Sequence, residues 1–260
     1  MNQPAPRHLT ILTGASRGMG QAMAQQLLAR DRLLLCLSRH TDPALAALAE
    51  AHHAPLLQWQ QDLSDTAGAA DRLQAWLQDQ APAGFLSATL INNAGVIAHI
   101  GPLEDTPSAH IATALRVGLE APMALTAAFL RATGAWVEQG WRGPRKVLNI
   151  SSGLGRRAMA AQATYCAAKA GLDHFTRCCA LDQAQQPHGA RTVSLAPGVI
   201  DTDMQIQLRA GDPARFPDRE RFVDLKEQGQ LSSPQDAAKA VLRWLDRPDF
   251  GDQPVADVRD

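Results

Sequence analysis

A tyrosine, a lysine and a serine in the middle of the chain have the types and the spacing of a proton-donating site. Tyr165 and Lys169 are four residues apart, and Ser152 lies upstream of both in the stretch NISSGLGRRAMAAQATYCAAKAG. On a helix, side chains at i and i+4 share one face, so the ammonium of Lys169 is expected beside the phenol. A neighbouring cation favours the phenolate, which predicts that the pKa of Tyr165 falls below its usual value of about 10. Ser152 is then expected to hold a substrate oxygen in front of this acid.

Each of these residues also has an ordinary structural interpretation. A tyrosine on a helix is often a half-buried packing residue, and a lysine is usually a solvated surface charge. Tyr165 is, however, the only tyrosine in the chain, and its surroundings in the sequence are rich in alanine. The catalytic interpretation therefore depends on whether the rest of the chain can position a cofactor and a substrate.

A glycine-rich turn near the N-terminus has the features of a dinucleotide site. The loop TGASRGMG, with Gly14, Gly18 and Gly20, follows an apolar run at 8–13 and precedes a helical stretch at 21–30. Its glycines allow a sharp turn and a close approach of the backbone to a pyrophosphate, whose charge the following helix N-terminus stabilises. The spacing differs from GxGxxG, so a plain strand-to-helix turn is the alternative.

The residues after the second apolar run predict which dinucleotide is bound. Where an NAD-binding fold places Asp or Glu for the ribose 2′-hydroxyl, this chain has Ser38, Arg39 and His40. Arg39, together with Arg17 of the glycine loop, offers guanidinium groups suited to a 2′-phosphate. The sequence therefore predicts NADP(H) as the cofactor.

Composition and charge favour one domain that acts on small molecules. The chain has 260 residues, 45% of them hydrophobic, and a formal net charge of −1 without a basic run. This near balance argues against a nucleic-acid partner and against an anionic membrane surface. The N-terminal sequence leads into a strand, and no run approaches the roughly 18 apolar residues of a membrane span. We therefore expect a cytoplasmic protein.

Apolar runs alternate with helix-length segments along the chain. The runs expected to be strands are 8–13, 33–38, 55–59, 88–92, 146–151 and 191–196. This alternation predicts an α/β fold, in which helices cover both faces of a parallel sheet.

The long stretch 201–232 is interrupted by Pro and Gly, and it mixes apolar side chains with many charges. Long irregular segments in compact domains are usually functional, so we place a substrate lid at about 203–230. Met204 and Phe222 are expected to form an apolar pocket wall that favours aromatic substrates. The alternative is that both are packing residues.

The motifs, taken in their order along the chain, resemble those of the short-chain dehydrogenase/reductase family. They are TGxxxGxG at 13–20, Asp62 after the third strand, NNAG at 92–95, Ser152, YxxxK at 165–169 and PGxxxT at 197–202. The resemblance covers essentially the whole chain. It implies a single Rossmann domain over 1–260 with seven parallel strands, in a homodimer or homotetramer.

The same resemblance implies roles for individual residues. Asp62 and Leu63 would contact the adenine, Lys169 would bind the nicotinamide ribose, and Thr202 would bind the carboxamide. The full set of implied cofactor positions is Gly14, Ser16, Arg17, Gly18, Met19, Gly20, Arg39, Asp62, Leu63, Asn92, Ala94, Gly95, Tyr165, Lys169, Pro197, Gly198, Val199 and Thr202.

The C-terminal part of the chain is similar to the sepiapterin reductase and benzil reductase branch of that family. In that branch the lid contributes to the substrate pocket and an Asp near the C-terminus faces the substrate, which points to Asp257. Asp252 and Asp260 are near neighbours that leave this alignment open. The implied substrate is a bulky, partly aromatic ketone or 1,2-diketone. Its implied contacts are Ser152, Tyr165, Met204, Phe222 and Asp257.

One position departs from the family pattern. Family members usually carry an Asn within VNLxAP, where it holds a water on the proton path from the lysine, whereas RVGLEAP has Gly118 there. In one account the glycine is tolerated, and a water bonds directly to backbone carbonyls. That account fits an NADPH-dependent carbonyl reductase. In the other account proton supply is impaired, which fits an NADP(H)-binding regulatory or scaffold protein with little turnover.

Overall fold

The computed structural model describes residues 7–97 and 99–260. Within them seven strands form one parallel sheet, in the order β3-β2-β1-β4-β5-β6-β7. The strands are β1 (His8–Thr13), β2 (Arg32–Ser38), β3 (Leu56–Gln60), β4 (Ser87–Asn92), β5 (Arg145–Ile150), β6 (Arg191–Ala196) and β7 (Val255–Asp257). The strand order reverses between β1 and β4, and ligands of open α/β sheets bind at such a switch point. The predicted fold class is confirmed.

Helices cover both faces of this sheet. They are α1 (Gly18–Leu27), α2 (Pro43–His52), α3 (Thr66–Gln78), α4 (Ser108–Leu115), α5 (Ala121–Glu138), α6 (Ala163–Ala184), α7 (Asp203–Arg209), α8 (Arg219–Glu227) and α9 (Pro234–Leu245). Helix α1 packs against α9, and α3 packs against α5. Helix α1 begins inside the glycine loop, at Gly18, and not after it as the sequence suggested.

Two apolar cores lie between the sheet and these helices. Alternate residues of a strand point to opposite faces, so Leu12 and Leu34 belong to the core with α1 and α9, whereas Ile11 and Leu35 belong to the core with α3 and α5. All five tryptophans of the chain belong to these two cores or pack against them: Trp59, Trp76, Trp136, Trp141 and Trp244. Strands buried on both faces give nearly continuous apolar runs, which is why six of the seven described strands were predicted.

Helices α4 and α5 are joined by a π turn at Arg116–Glu120 into one long helix, Ser108–Glu138. By length and composition alone this helix is apolar enough to cross a membrane, a test that buried core helices also pass. Its side chains Leu125 and Phe129 are buried in the core that also holds α3. This is the packing of a core helix in a globular domain.

Candidate active site

A large cavity opens where the carboxyl ends of the central strands meet. Its wall includes Gly14 after β1, Asn93 after β4, Ser151 after β5 and Pro197 after β6. The cavity volume is about 1310 Å³. A single small-molecule site usually occupies roughly 300–1,000 Å³. The cavity therefore has room for a cofactor and a substrate side by side.

The glycine loop forms one end of this cavity, and its geometry requires glycine. Gly14 and Gly18 have φ angles of 69° and 56°, in the left-handed region that favours glycine. A Cβ atom at Gly20 would lie 2.0 Å from the carbonyl oxygen of Gly14, so α1 can approach the loop only because that atom is missing. The first turn of α1 has no side-chain cap, which leaves backbone N–H groups for an anionic ligand. These features fit a dinucleotide pyrophosphate.

The NNAG motif contributes Asn93 to the cavity, and not Asn92. The Nδ2 atom of Asn93 donates to the backbone oxygens of Thr13 and Gly14 at 3.0 and 3.2 Å, which ties the glycine loop to the end of β4. The side chain of Asn92 is buried on the other side of the strand and donates to Oδ1 of Asn149 at 2.8 Å. Of the two asparagines, only Asn93 lines the cavity, because neighbouring residues of a strand point to opposite faces.

Tyr165, Lys169 and Ser152 come together on the cavity wall. Lys169 is buried, its Nζ atom donates to the backbone oxygen of Ile150 at 2.7 Å, and Nζ lies 5.8 Å from the Tyr165 ring centre. Ser152 begins the short turn 153–155, where its Oγ atom accepts from the Leu154 N–H at 3.1 Å. The structure thus juxtaposes the three side chains that the sequence singled out.

The pKa values in this cluster differ from the expectation drawn from spacing. Burial raises the pKa of Tyr165 to about 12, and the nearby Ser152 hydroxyl opposes this rise only in part. Burial also lowers the pKa of Lys169 to about 8, against the opposing effect of the Asp173 carboxylate. The expected fall in the pKa of Tyr165 was wrong, because burial raises this pKa and spacing carries no information on burial. In this state Tyr165 is protonated at neutral pH, as a proton donor must be.

Arg17 and Arg39 line the glycine-loop end of the cavity. Arg17 forms an ion pair with Asp203 of α7 at 3.1 Å, and both side chains are 61% exposed. Arg39 lies close to Asp62, where it adds to the lowering of that carboxyl's pKa, which is due mainly to the Ser64 backbone N–H. Of the two arginines, only Arg17 also contacts the segment predicted to be the lid.

The segment 203–230 contains α7 and α8 and has a small apolar core of its own. Leu208, Phe216 and Phe222 are buried there, and the two phenylalanine rings stack with their centroids 5.6 Å apart. Phe222 also reaches the cavity, so it is both a packing residue and part of the wall. Met204 is half-buried, packs against this core and lines the cavity.

Strand β7 places Asp257 on the cavity wall. Its carboxylate accepts two hydrogen bonds from Arg259, at 2.7 and 2.6 Å, and these bonds lower the pKa of the carboxyl. The neighbouring Asp252 pairs with Arg191 instead, and Asp260 accepts from the Asp257 backbone N–H. Among these three aspartates, the predicted one lines the cavity.

Several further predicted positions lie on the same wall. They are Ser16, Met19, Leu63, Ala94, Gly95, Gly198, Val199 and Thr202. Sequence reasoning missed two buried amides that also line the cavity, Gln162 and Gln205. The position of Gln162, three residues before Tyr165, places it near the predicted site, but nothing in the sequence indicated its burial.

Gly118 is buried in the π turn that joins α4 and α5. A Cβ atom there would lie 3.1 Å from the Cβ of Ala168, which precedes Lys169 on α6. The glycine therefore permits tight packing of the π turn on the helix that carries Tyr165. This packing is a structural reason for glycine at the position.

Comparison with known proteins supplies a second line of observation. A family model described as short chain dehydrogenase matches residues 8–213. The benzil reductase ((S)-benzoin forming) of Bacillus cereus is 35% identical over 240 residues, which are 92% of this chain and 94% of that protein. The sepiapterin reductase of Meriones unguiculatus is 33% identical over 251 residues, 92% of each chain. A 3-oxoacyl-[acyl-carrier protein] reductase from Brucella melitensis in complex with NAD superimposes with a TM-score of 0.79 over 97% of this chain and 95% of that one, at 24% identity.

Proposed function

We propose a function from one premise: the chain belongs to the short-chain dehydrogenase family. The relatives confirm both the family and the branch that the motifs predicted, and membership makes the protein an oxidoreductase of a family that uses NAD(P). Within that frame we propose an NADPH-dependent carbonyl reductase. Its proposed substrate is a bulky or aromatic ketone or 1,2-diketone.

The observation that carries this proposal is the presence of Tyr165, Ser152 and Lys169 on the wall of a cavity that the glycine loop also lines. When bound, NADPH supplies a hydride to the carbonyl carbon. Tyr165 donates its proton to the carbonyl oxygen as negative charge develops there. The Ser152 hydroxyl donates a hydrogen bond to the same oxygen and stabilises that charge. Lys169 orients the nicotinamide ribose and replaces the proton that Tyr165 loses.

The choice of NADPH is supported by the charges at the glycine-loop end. Arg39 and Arg17 are the groups proposed for the 2′-phosphate, and no carboxylate follows β2 at the position where NAD-binding folds place one. Asp62 and Leu63 are proposed to contact the adenine, and Thr202 the carboxamide; all three line the cavity.

The substrate class is supported by the apolar part of the wall and by the relatives. Met204 and Phe222 supply apolar surface to the cavity that the catalytic cluster also lines, which favours an aromatic ligand. The names of the two curated relatives refer to benzil and sepiapterin. We also propose a cytoplasmic homodimer or homotetramer, since Leu115 and Met123 expose apolar surface on the long helix.

The test is oxidation of NADPH, followed by its near-ultraviolet absorbance, with a panel of diketones and matched monoketones. Tyr165→Phe keeps the ring packing but removes the proton donor, so turnover should fall by about 10²–10⁴-fold while NADPH affinity is retained. Ser152→Ala should reduce turnover by about 10²–10³-fold. A Tyr165→Phe variant with most of its activity would show that the proton donor is misassigned.

The same panel tests the alternative function. A regulatory or scaffold protein would bind NADPH and turn over none of the ketones, and Gly118 is the sequence feature that favours it. Because Gly118 permits close packing against α6, its presence does not require a lost activity.

A further inference from the structure

Two buried amide side chains line the cavity without a hydrogen-bond partner among the residues that the structure describes. Gln162 is 1% exposed, and both its Oε1 and Nε2 atoms are unpaired. Gln205 of α7 is 6% exposed, and its Oε1 atom is unpaired. Buried polar groups are nearly always hydrogen-bonded, so an unpaired amide on a cavity wall indicates a contact with a bound molecule.

Gln162 is positioned beside the proton donor. It is the residue before α6, and its carbonyl oxygen accepts from the Cys166 N–H at 2.9 Å, which continues the helix geometry. Gln162 has φ and ψ angles of −130° and 24° and therefore precedes the helix proper. Gln162 and Tyr165, three residues apart along the chain, both line the cavity.

The backbone before Gln162 is held in an unfavourable conformation. Ala161 has a φ angle of 60°, in the left-handed region that residues with a Cβ atom rarely adopt. Its carbonyl oxygen accepts from the Gly101 N–H at 3.1 Å, and its side chain packs against the core of the lid segment. Conformations of this kind persist only where the surroundings enforce them, and they concentrate at ligand sites. Here the enforced turn starts α6 with the Gln162 amide buried on the cavity wall.

We propose that Gln162 recognises the second oxygen of a 1,2-dicarbonyl substrate, to which its Nε2 donates while Tyr165 protonates the first oxygen. The proposal rests on the proposed function and adds a residue that determines specificity. The two oxygens of a 1,2-dicarbonyl are on adjacent carbons, so two donors that line one cavity at the start of α6 suit them.

Five other side chains that line the cavity are less suited to that role. Asp257 carries an ionised carboxylate paired with Arg259, and a carboxylate accepts hydrogen bonds but cannot donate one. Met204 and Phe222 have no donor. Arg157 and Arg221 line the cavity but are exposed.

The experiment compares two ligands that differ only at the second oxygen: benzil, and deoxybenzoin, which has a CH₂ group in place of one carbonyl. Binding is measured by calorimetry with NADP⁺ present, so that no turnover occurs. The unaltered protein should bind benzil at least about fivefold more tightly than deoxybenzoin, the effect of one hydrogen bond to a buried donor. Gln162→Met keeps the length of the side chain without the amide, and it should bind the two ligands equally. The affinity for deoxybenzoin and for NADP⁺ should not change.

The matched control is Gln205→Met, which removes the second buried amide and should keep the preference for benzil. An apolar isostere in place of an unpaired buried amide is expected to fold, and Gln162→Leu is the second variant if Gln162→Met does not. The proposal is overturned if the unaltered protein has no preference, if Gln162→Met and Gln162→Leu retain it, or if only Gln205→Met removes it. With NADPH in place of NADP⁺, a failure to reduce any ketone would count against the proposed function alone, because the binding comparison needs no turnover.

Discussion

The glycine-loop end and the lid end of the cavity are built in different ways. At the glycine-loop end the backbone packs closely, since a Cβ at Gly20 would lie 2.0 Å from the carbonyl oxygen of Gly14. At the other end, formed in part by the segment 203–230 that we propose as a lid, the wall includes residues of α7 and α8, which pack around a small separate core. The first arrangement accepts very few residue types at each position, and the second accepts many. One end is therefore expected to bind a constant cofactor, and the other to vary with the substrate.

The two ends should also differ in local stability. The strands next to the glycine loop belong to the two large cores, whereas the core of the lid has three buried members, Leu208, Phe216 and Phe222. Segments with few buried apolar contacts open at a lower free energy than the whole domain. The lid is thus expected to open without global unfolding.

The largest expected effect is on the free energy of global unfolding, when one phenylalanine is removed from a sheet core or from the segment 203–230. Phe129 is fully buried in the core with α3 and α5, so Phe129→Ala should lower the free energy of global unfolding by about 3–5 kcal/mol. Phe222→Ala makes the same deletion in the lid, and should lower the global value by less than half as much. It should instead accelerate protease cleavage within 203–230. Denaturant unfolding and limited proteolysis measure the two quantities.

Ligands provide the control for this comparison. NADP(H) together with a ketone inhibitor should slow cleavage within 203–230 in the unaltered protein, because a closed lid protects its backbone. Equal losses of global stability in the two variants, with cleavage unaffected by ligands, would mean that the lid is an integral part of the domain core.

The second prediction concerns Lys169, the buried lysine beside Tyr165 on the cavity wall. The pKa of Lys169 is about 8 in the folded protein and 10.5 in its ordinary state. Below about pH 8 the lysine side chain is protonated in both the folded and the unfolded chain. Between pH 8 and 10.5 it is protonated mainly in the unfolded chain, so the free energy of unfolding rises with pH across this window. The contribution is up to about 3 kcal/mol. Lys169→Met should remove this rise.

The matched control is a lysine of the lid. Lys226 pairs with Asp201 at 2.5 Å and its side chain is 51% exposed, so Lys226→Met should keep the pH profile of the unaltered protein. Urea unfolding at several pH values measures both variants. A Lys169→Met profile parallel to that of the unaltered protein would contradict the assignment of this rise to Lys169.

The smallest expected effect distinguishes the two arginines. Arg39→Asp should weaken NADPH binding by about 1.5–3 kcal/mol and remove the preference over NADH, since a charge-assisted contact to the 2′-phosphate is lost. Arg17→Ala should weaken NADPH binding and also accelerate protease cleavage of the lid, because Arg17 pairs with Asp203. Arg39→Asp should leave cleavage unchanged. Equal affinity of the unaltered protein for the two cofactors would contradict the role of both arginines.

The sequence predicted the parts of the molecule in which local chemistry decides the structure. Apolar runs located β1 and β6 to the residue. The short strand β7, with three residues, is too brief to form such a run and was expected only from the family resemblance. The YxxxK motif correctly predicted that Tyr165 and Lys169 lie on one helix.

The sequence did not predict which side chains are buried or the direction in which each one points. The pKa of Tyr165 moved opposite to the expectation, and Asn92 was chosen where Asn93 lines the cavity, because both depend on what surrounds a side chain in three dimensions. The left-handed conformation of Ala161 has no local signal, since Ala has no preference for it. Gln162 is buried as a consequence of that turn, so its exposure was equally hidden.

The placement of the tryptophans decides what optical spectroscopy of this protein will detect. All five belong to the two sheet cores or pack against them, and none lines the described cavity or lies in 203–230. Intrinsic emission therefore reports loss of the sheet packing and is blind to movement of the lid. Phe222→Trp would introduce a tryptophan into the segment 203–230. Quenching of its emission by a bound nicotinamide would then report closure of the lid directly.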